Sequence, residues 1–156
     1  LHIAIAPTKN MNRYEWFLEK ACEIGIDEIT PIICDHSERK VINTERCNRI
    51  LLSAMKQSLK FHLPKLNEAI TLKDFLKQDF KGNKYIAHCE EGNKTELRKE
   101  NIEKRTLILI GPEGDFSPTE IEMALQNQYK AVSLGKTRLR TETAGLVAVH
   151  TVNIKN

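Results

Sequence analysis

The sequence predicts an α/β fold, a mainly parallel open sheet with helices on both faces. Two observations carry this. Leu107-Ile108-Leu109-Ile110 is an apolar run without alternation, the pattern of a strand buried on both sides, and it stops abruptly at Gly111-Pro112-Glu113-Gly114. Behind that turn, Ser117-Pro118-Thr119-Glu120 has the form of a helix start, with a Ser N-cap, Pro at the first helical position and Glu placed to close a capping box. Strand, glycine turn and capped helix in that order make a ligand-binding edge of a parallel sheet.

The other elements alternate in the same way. Residues 2–6 form an apolar first strand, and Tyr14, Phe17, Leu18 and Ala21 then recur at helical spacing, with Gly25 placed to end that helix. Residues 29–33 read as the second strand. Thr44 is placed to cap a helix whose Cys47, Ile50, Leu51, Ala54 and Ser58 share one face, and Pro64 prevents its extension. Residues 84–89 are the third expected strand, 107–110 the fourth and 131–134 a short fifth, with 121–126 helical between the last two. A helix over about 143–154 ends the pattern. Such alternation points to right-handed crossovers around one sheet.

Composition sets the outer limits. A chain of 156 residues, 40% of them apolar, is enough for one domain with a full core. No apolar run approaches a membrane span and no charged-then-apolar leader opens the sequence, so a cytoplasmic location without a membrane partner is expected. Cys22, Cys34, Cys47 and Cys89 are scattered with no C-x-x-C pair, which fits reduced core thiols. Cys34-Asp35-His36 and His88-Cys89 match no structural zinc spacing, and no metal is expected. The net charge of +3 neither requires nor excludes a nucleic-acid partner.

A second segment, Leu134-Gly135-Lys136-Thr137-Arg138-Leu139-Arg140-Thr141-Glu142-Thr143-Ala144, joins the first in a pattern. G-P-E-G after a buried strand, together with L-G-x-x-x-L-R-x-E-T-A before the last helix, resembles the SPOUT RNA methyltransferases, whose catalytic domain carries a trefoil knot. Within that class the chain is similar to the bacterial small-subunit rRNA enzymes that methylate N3 of a uridine. The likeness continues upstream through Glu19 to Ile26, Ile29-Thr30-Pro31, Ser37-Glu38-Arg39, Gln57-Ser58 and Pro64, in the family's order.

The resemblance implies a C-terminal trefoil knot, S-adenosyl-L-methionine as methyl donor, 16S rRNA or the small ribosomal subunit as partner, and a homodimer. It also implies that residues 1–156 are the knotted catalytic domain, and that the small RNA-binding β-barrel that precedes it in the family is absent from this chain. Three loops meet at the cofactor in the family, and here they correspond to His88-Cys89-Glu90, to Ile110, Gly111, Pro112, Glu113 and Gly114, and to the segment holding Leu134, Gly135 and Leu139. Gly111, Gly114 and Gly135 are the expected points of close backbone approach, since a main-chain slot recognises an adenine edge only where no Cβ intervenes. Leu134 and Leu139 are the expected apolar walls, and Glu113 is expected to hold its loop or order the substrate.

N3 of uracil lies on the Watson–Crick edge and bears a proton, so the base must be unpaired, and a cation beside it favours the anion that attacks. Arg140 is the expected catalytic cation because a guanidinium donates two bonds to carbonyl oxygens and stays charged. Glu142 is expected to orient it through an ion pair, or else to favour the helix N-terminus by its charge. Arg39, Lys56, Lys60 and Arg138 are the expected RNA contacts.

The chain departs from the pattern in places. Thr137 stands where many members have Arg, and Arg138 where they have an apolar residue; Lys56 replaces an acid before Gln57-Ser58, and Lys60 and His62 replace arginines. These changes keep positive charge but lose bidentate forks. Two further readings share the same fold: a non-catalytic knotted module for RNA binding or ribosome assembly, and a SPOUT enzyme acting elsewhere, such as a tRNA 2′-hydroxyl.

Overall fold

The computed structural model describes residues 1–156. The elements follow in the order β1 (His2–Ile5), α1 (Met11–Ile24), β2 (Glu28–Ile33), α2 (Thr44–Gln57), β3 (Lys65–Leu66), β4 (Ile70–Thr71), α3 (Leu72–Phe75), β5 (Asn83–Ala87), β6 (Thr95–Glu96), β7 (Thr106–Ile110), α4 (Pro118–Gln126), β8 (Lys130–Ser133) and α5 (Thr141–Lys155). They form one sheet in the order β3-β2-β1-β7-β5-β8-β6, with β4 also on β2, and every pairing is parallel. The two late strands are insertions: β7 enters between β1 and β5, and β8 between β5 and β6.

β7 is buried along its whole length, as its unbroken apolar run requires. Its alternate side chains serve two cores. Ile108 and Ile110 join Ile3, Ile5, Tyr14, Phe17, Leu51 and Val149 under α1, α2 and α5, while Leu107 and Leu109 join Phe75, Phe116, Ile121 and Ala124 under α3 and α4. Helices therefore cover both faces. Gly145 allows α5 to sit down on the first core, because a Cβ there would lie 2.7 Å from Ile5 Cδ1 and 2.8 Å from the Phe17 ring. No helix is long and apolar enough to cross a membrane.

The capping box of α4 forms as expected: the Ser117 hydroxyl accepts from Glu120 N–H and the Glu120 carboxylate accepts from Ser117 N–H. Gly25 ends α1 with φ +135°, its N–H bonded to Ala21 O. Thr44 is not the cap of α2. Asn43 is, with its side chain accepting from Arg46 N–H at 3.0 Å, because an Asn one position earlier offers the better cap and Thr44 becomes the first helical residue. α1 starts before Tyr14, capped by Asn10, and α5 starts at Thr141 with no side-chain cap. β5 ends at Ala87, leaving His88 and Cys89 in the following loop.

His2 is buried beside Thr30, whose hydroxyl lies 2.8 Å from its Nε2. Burial lowers its pKa from 6.5 to about 4, against the opposing pull of Glu28. Between pH 6.5 and 4 the unfolded chain takes up a proton that the folded chain refuses, so folding stability falls as pH falls through that window, by on the order of 3 kcal/mol. Urea unfolding at pH 7 and pH 4 checks this: His2→Asn should show a smaller loss of stability over the interval than the parent.

Candidate active site

The carboxyl ends of β5, β7 and β8 deliver three loops to one place, and two adjoining cavities open there. One, of about 290 Å³, is lined by residues that include Cys89, Ile110, Gly111, Pro112, Glu113 and Arg140. The other, of about 310 Å³, is lined by His88, Lys94, Leu134, Gly135, Lys136 and Thr137 among others. Ala87, Cys89, Arg138, Leu139 and Ala144 line both. Cys89 is thus an exposed thiol at the junction, in contrast to the buried Cys22, Cys34 and Cys47.

The turn after β7 is fixed from every side. Asp115, at φ +64°, accepts from Cys89 N–H through Oδ2 at 3.0 Å and from Phe116 N–H through Oδ1 at 2.8 Å, which ties the first loop to the second. Thr141 Oγ1 donates to Gly111 O at 2.9 Å, tying the start of α5 to the same turn. Glu113 Oε1 accepts from Lys9 N–H at 2.7 Å, and His36 Nδ1 lies 2.9 Å from Gly114 O and 3.1 Å from Asp115 O. Two carbonyls can only accept, so Nδ1 carries the proton. The Gly114 carbonyl accordingly raises the His36 pKa.

The three glycines divide. A Cβ on Gly135 would meet nothing within 4 Å, and its φ of +144° suits glycine, so its backbone borders open space. Gly111 and Gly114 border protein instead. A Cβ on Gly111 would lie 3.1 Å from the Phe116 ring and one on Gly114 3.0 Å from His36 Cβ, so these two glycines make room for the turn's own packing. Gly114 and Glu90 line neither cavity.

Arg140 is exposed at the rim of the 290 Å³ cavity, at the N-cap position of α5. The expected ion pair with Glu142 does not form. Glu142 is buried in the first turn of α5, on the helical side of the cap, where its charge favours the helix N-terminus instead. Arg138 is exposed where the cavities meet, and Arg39 donates its Nε–H to Lys9 O at 3.0 Å on the adjoining surface. Lys56 and Lys60 are not brought to this edge. Lys60 lines a cavity with Leu1, Asp27 and Lys104, which precede β1, β2 and β7, and Lys56 is in the last turn of α2 just before it, so both lie at the opposite end of the sheet.

Several site residues carry little sequence signal. Asp115 acts through two bonds to backbone and Thr141 through one, and Lys94 donates to His88 O at 2.8 Å from a segment with no motif. His88 Nδ1 is buried without a partner. Burial and then Lys94 lower its pKa below the usual histidine value, so His88 is neutral at pH 7.

Residues 1–153 match the family model for the RNA methyltransferase domain. The chain belongs to this family. It is 32% identical over 151 residues to the ribosomal RNA small subunit methyltransferase E of Mesomycoplasma hyopneumoniae, an alignment that covers 94% of this chain and 65% of that protein. Among solved structures it superposes on a probable rRNA-methyltransferase from Porphyromonas gingivalis with TM-score 0.90 and 46% identity, covering 98% of this chain and 67% of the other. A ribosomal RNA small subunit methyltransferase E from Neisseria gonorrhoeae, bound to S-adenosyl methionine, gives TM-score 0.85 at 26% identity, with 95% and 62% covered. The chain spans roughly three-fifths of the length of the curated relatives it matches.

Asp115→Ala should loosen the join between the first two loops. The loss of two acceptors predicts a destabilisation of about 1 to 3 kcal/mol and faster hydrogen exchange at the Cys89 amide, with amides in the middle of β7 unchanged. Hydrogen exchange read residue by residue checks both parts.

Proposed function

We propose that this domain transfers the methyl group of S-adenosyl-L-methionine to N3 of a uridine in 16S rRNA of the small ribosomal subunit. The observation that carries the reading is the open space facing Gly135, at the meeting point of the three loops, in a chain of the RNA methyltransferase domain family. The relatives' naming as small-subunit rRNA methyltransferases, and the S-adenosyl methionine bound in one of them, support it.

The residues present suit the cofactor. Backbone at Gly135 is free to approach a ligand, Leu134, Leu139 and Ala87 supply apolar walls, and the orphaned Nδ1 of His88 needs a polar partner. When bound, S-adenosyl-L-methionine supplies an electrophilic methyl group on a sulfonium. His88, being neutral, adds a hydrogen-bonding group without a second positive charge beside it. Ile110, Gly111 and Pro112 bound the slot on the β7 side, and Cys89 bounds it at the junction of the cavities.

Arg140 is the group for the substrate. Its guanidinium sits at the rim of the slot, where a planar cation with two parallel donors can hold the uracil carbonyl oxygens as the N3 proton leaves. Arg138 at the junction is assigned to RNA phosphate, as is Arg39 on the adjoining face. Glu142 keeps a supporting place at the start of α5. We infer further that the C-terminal part of the chain is threaded as a trefoil knot; the bond from the start of α5 to the β7 turn and the packing of α5 on the first core and α1 are consistent with it. A homodimer would use the outer face of α5, where Ile154 is 68% exposed. Action on ribosomal RNA would place the protein in the cytoplasm.

Mass spectrometry of 16S rRNA from cells lacking the protein should show the loss of one N3-methyluridine, restored by the parent gene; unchanged rRNA would refute the assignment. Gly135→Val should weaken S-adenosylmethionine binding by about tenfold or more in calorimetric titration, because a branched side chain would fill the open space. Arg140→Ala should lower kcat by roughly 10²-fold or more with cofactor affinity nearly unchanged, and Arg140→Lys should recover only part of the rate.

A further inference from the structure

We propose that Glu113 is a positioning residue that couples the cofactor slot to the RNA-facing cations: it fixes the backbone of Lys9, and Lys9 fixes Arg39. The proposal rests on the reading of this domain as an RNA methyltransferase. Its substance is a relay of two hydrogen bonds. Glu113 Oε1 accepts from Lys9 N–H at 2.7 Å, and Lys9 C=O accepts from Arg39 Nε–H at 3.0 Å. Glu113 follows β7, Lys9 follows β1 and Arg39 follows β2, which are adjacent in the order β2-β1-β7. The relay therefore crosses the sheet edge from the slot to the neighbouring surface.

That surface suits a phosphate backbone. Lys9, Arg39 and Lys40 surround an open hollow of about 400 Å³ whose lining holds one acid, Glu38, and Lys9 Nζ already lies 3.3 Å from the Glu38 carboxylate. Because Arg39 spends Nε on Lys9 O, its two terminal nitrogens remain available as a fork for phosphate oxygens. The direction of that fork depends on where the Lys9 carbonyl points, and that carbonyl is set between two held points: the Lys9 amide on one side of its Cα, bonded to Glu113, and Asn10, the N-cap of α1, on the other.

A carboxylate on the rim of an RNA-binding site repels phosphate unless it is engaged, so an idle Glu113 would be a liability. Its short charge-assisted bond to a backbone N–H gives it a use, and the same residue lines the 290 Å³ cavity. His36 provides a second fastening between the β2 and β7 loops through Gly114 O and Asp115 O, so the β7 turn keeps its place when the Glu113 bond is removed and the variant should still fold.

The test compares Glu113→Ala, Glu113→Gln, Arg39→Ala and the double variant Glu113→Ala/Arg39→Ala in the full chain. Glu113→Ala and Arg39→Ala should each raise KM for the ribosomal substrate about tenfold. Glu113→Gln should recover most of the loss, since its amide oxygen can accept the same N–H. The double variant should be no worse than the poorer single one, because both remove the same contact. In ¹⁵N NMR the Arg39 Nε–H should be protected from exchange in the parent and in Glu113→Gln, and unprotected in Glu113→Ala. Multiplicative effects, a Glu113→Gln as poor as Glu113→Ala, or an Arg39 Nε–H that stays protected in Glu113→Ala would each overturn the relay. A parent that methylates no rRNA would instead overturn the proposed function, and the Arg39 exchange signal would still decide whether the relay exists.

Discussion

The turn after β7 is the constraint on which the rest of the site depends. It is the place where a fully buried strand emerges, so its backbone groups need partners within a small space. Its carbonyls meet His36 from the loop after β2 and Thr141 from the start of α5, and its Glu113 and Asp115 carboxylates accept from the N–H groups of Lys9 after β1 and Cys89 after β5. Each bond satisfies a polar group and also sets one wall of the slot. The loops are thereby placed relative to one another by a single segment, which is the preorganisation that the proposed methyl transfer needs.

Much of this was legible in the sequence because the strongest signals are local. The apolar run of β7, the Ser-Pro-Thr-Glu start of α4 and the Gly25 stop of α1 are each decided by residues within one turn or strand, and each appears where the pattern places it. β3, β4 and β6 left no mark, since a two-residue strand has no periodicity to read. The four-residue α3 is decided by burial of Leu72 and Phe75 against the sheet rather than by its own pattern. The cap of α2 falls on Asn43 rather than Thr44, because adjacent Asn and Thr side chains have similar local claims, and α5 starts at Thr141, two residues before the expected boundary.

The site divides along the same line. The sequence brought the three loops to attention, and the structure gathers Cys89, Gly111, Gly135, Arg138 and Arg140 around adjoining cavities. It did not reveal which glycine faces empty space, because Gly111 and Gly135 look alike until Phe116 is seen against one of them. Nor could it separate lysines by end of the sheet. Lys56 and Lys60 share charge and spacing with a plausible RNA-binding face, yet α2 runs antiparallel to the strands and carries them away from the slot, whereas Arg39 stays beside it because it directly follows β2.

The shifted arginine in the third loop is accommodated by the same geometry. Residues 135–138 are exposed and form no regular element between β8 and α5, so side chains there are not committed to a core by strand alternation or helical phase. Thr137 lines the larger cavity, while Arg138 lines both, so moving the guanidinium by one position carries it onto the junction. Arg140 has no such latitude. It stands at the cap of α5, with the next residue bonded to Gly111 O and Glu142 buried behind it, so its backbone is held against the turn that bounds the slot. Under the proposed function, a cation required at one fixed point of a reacting base belongs on a held position, and a cation that needs only to meet a phosphate tolerates an exposed loop.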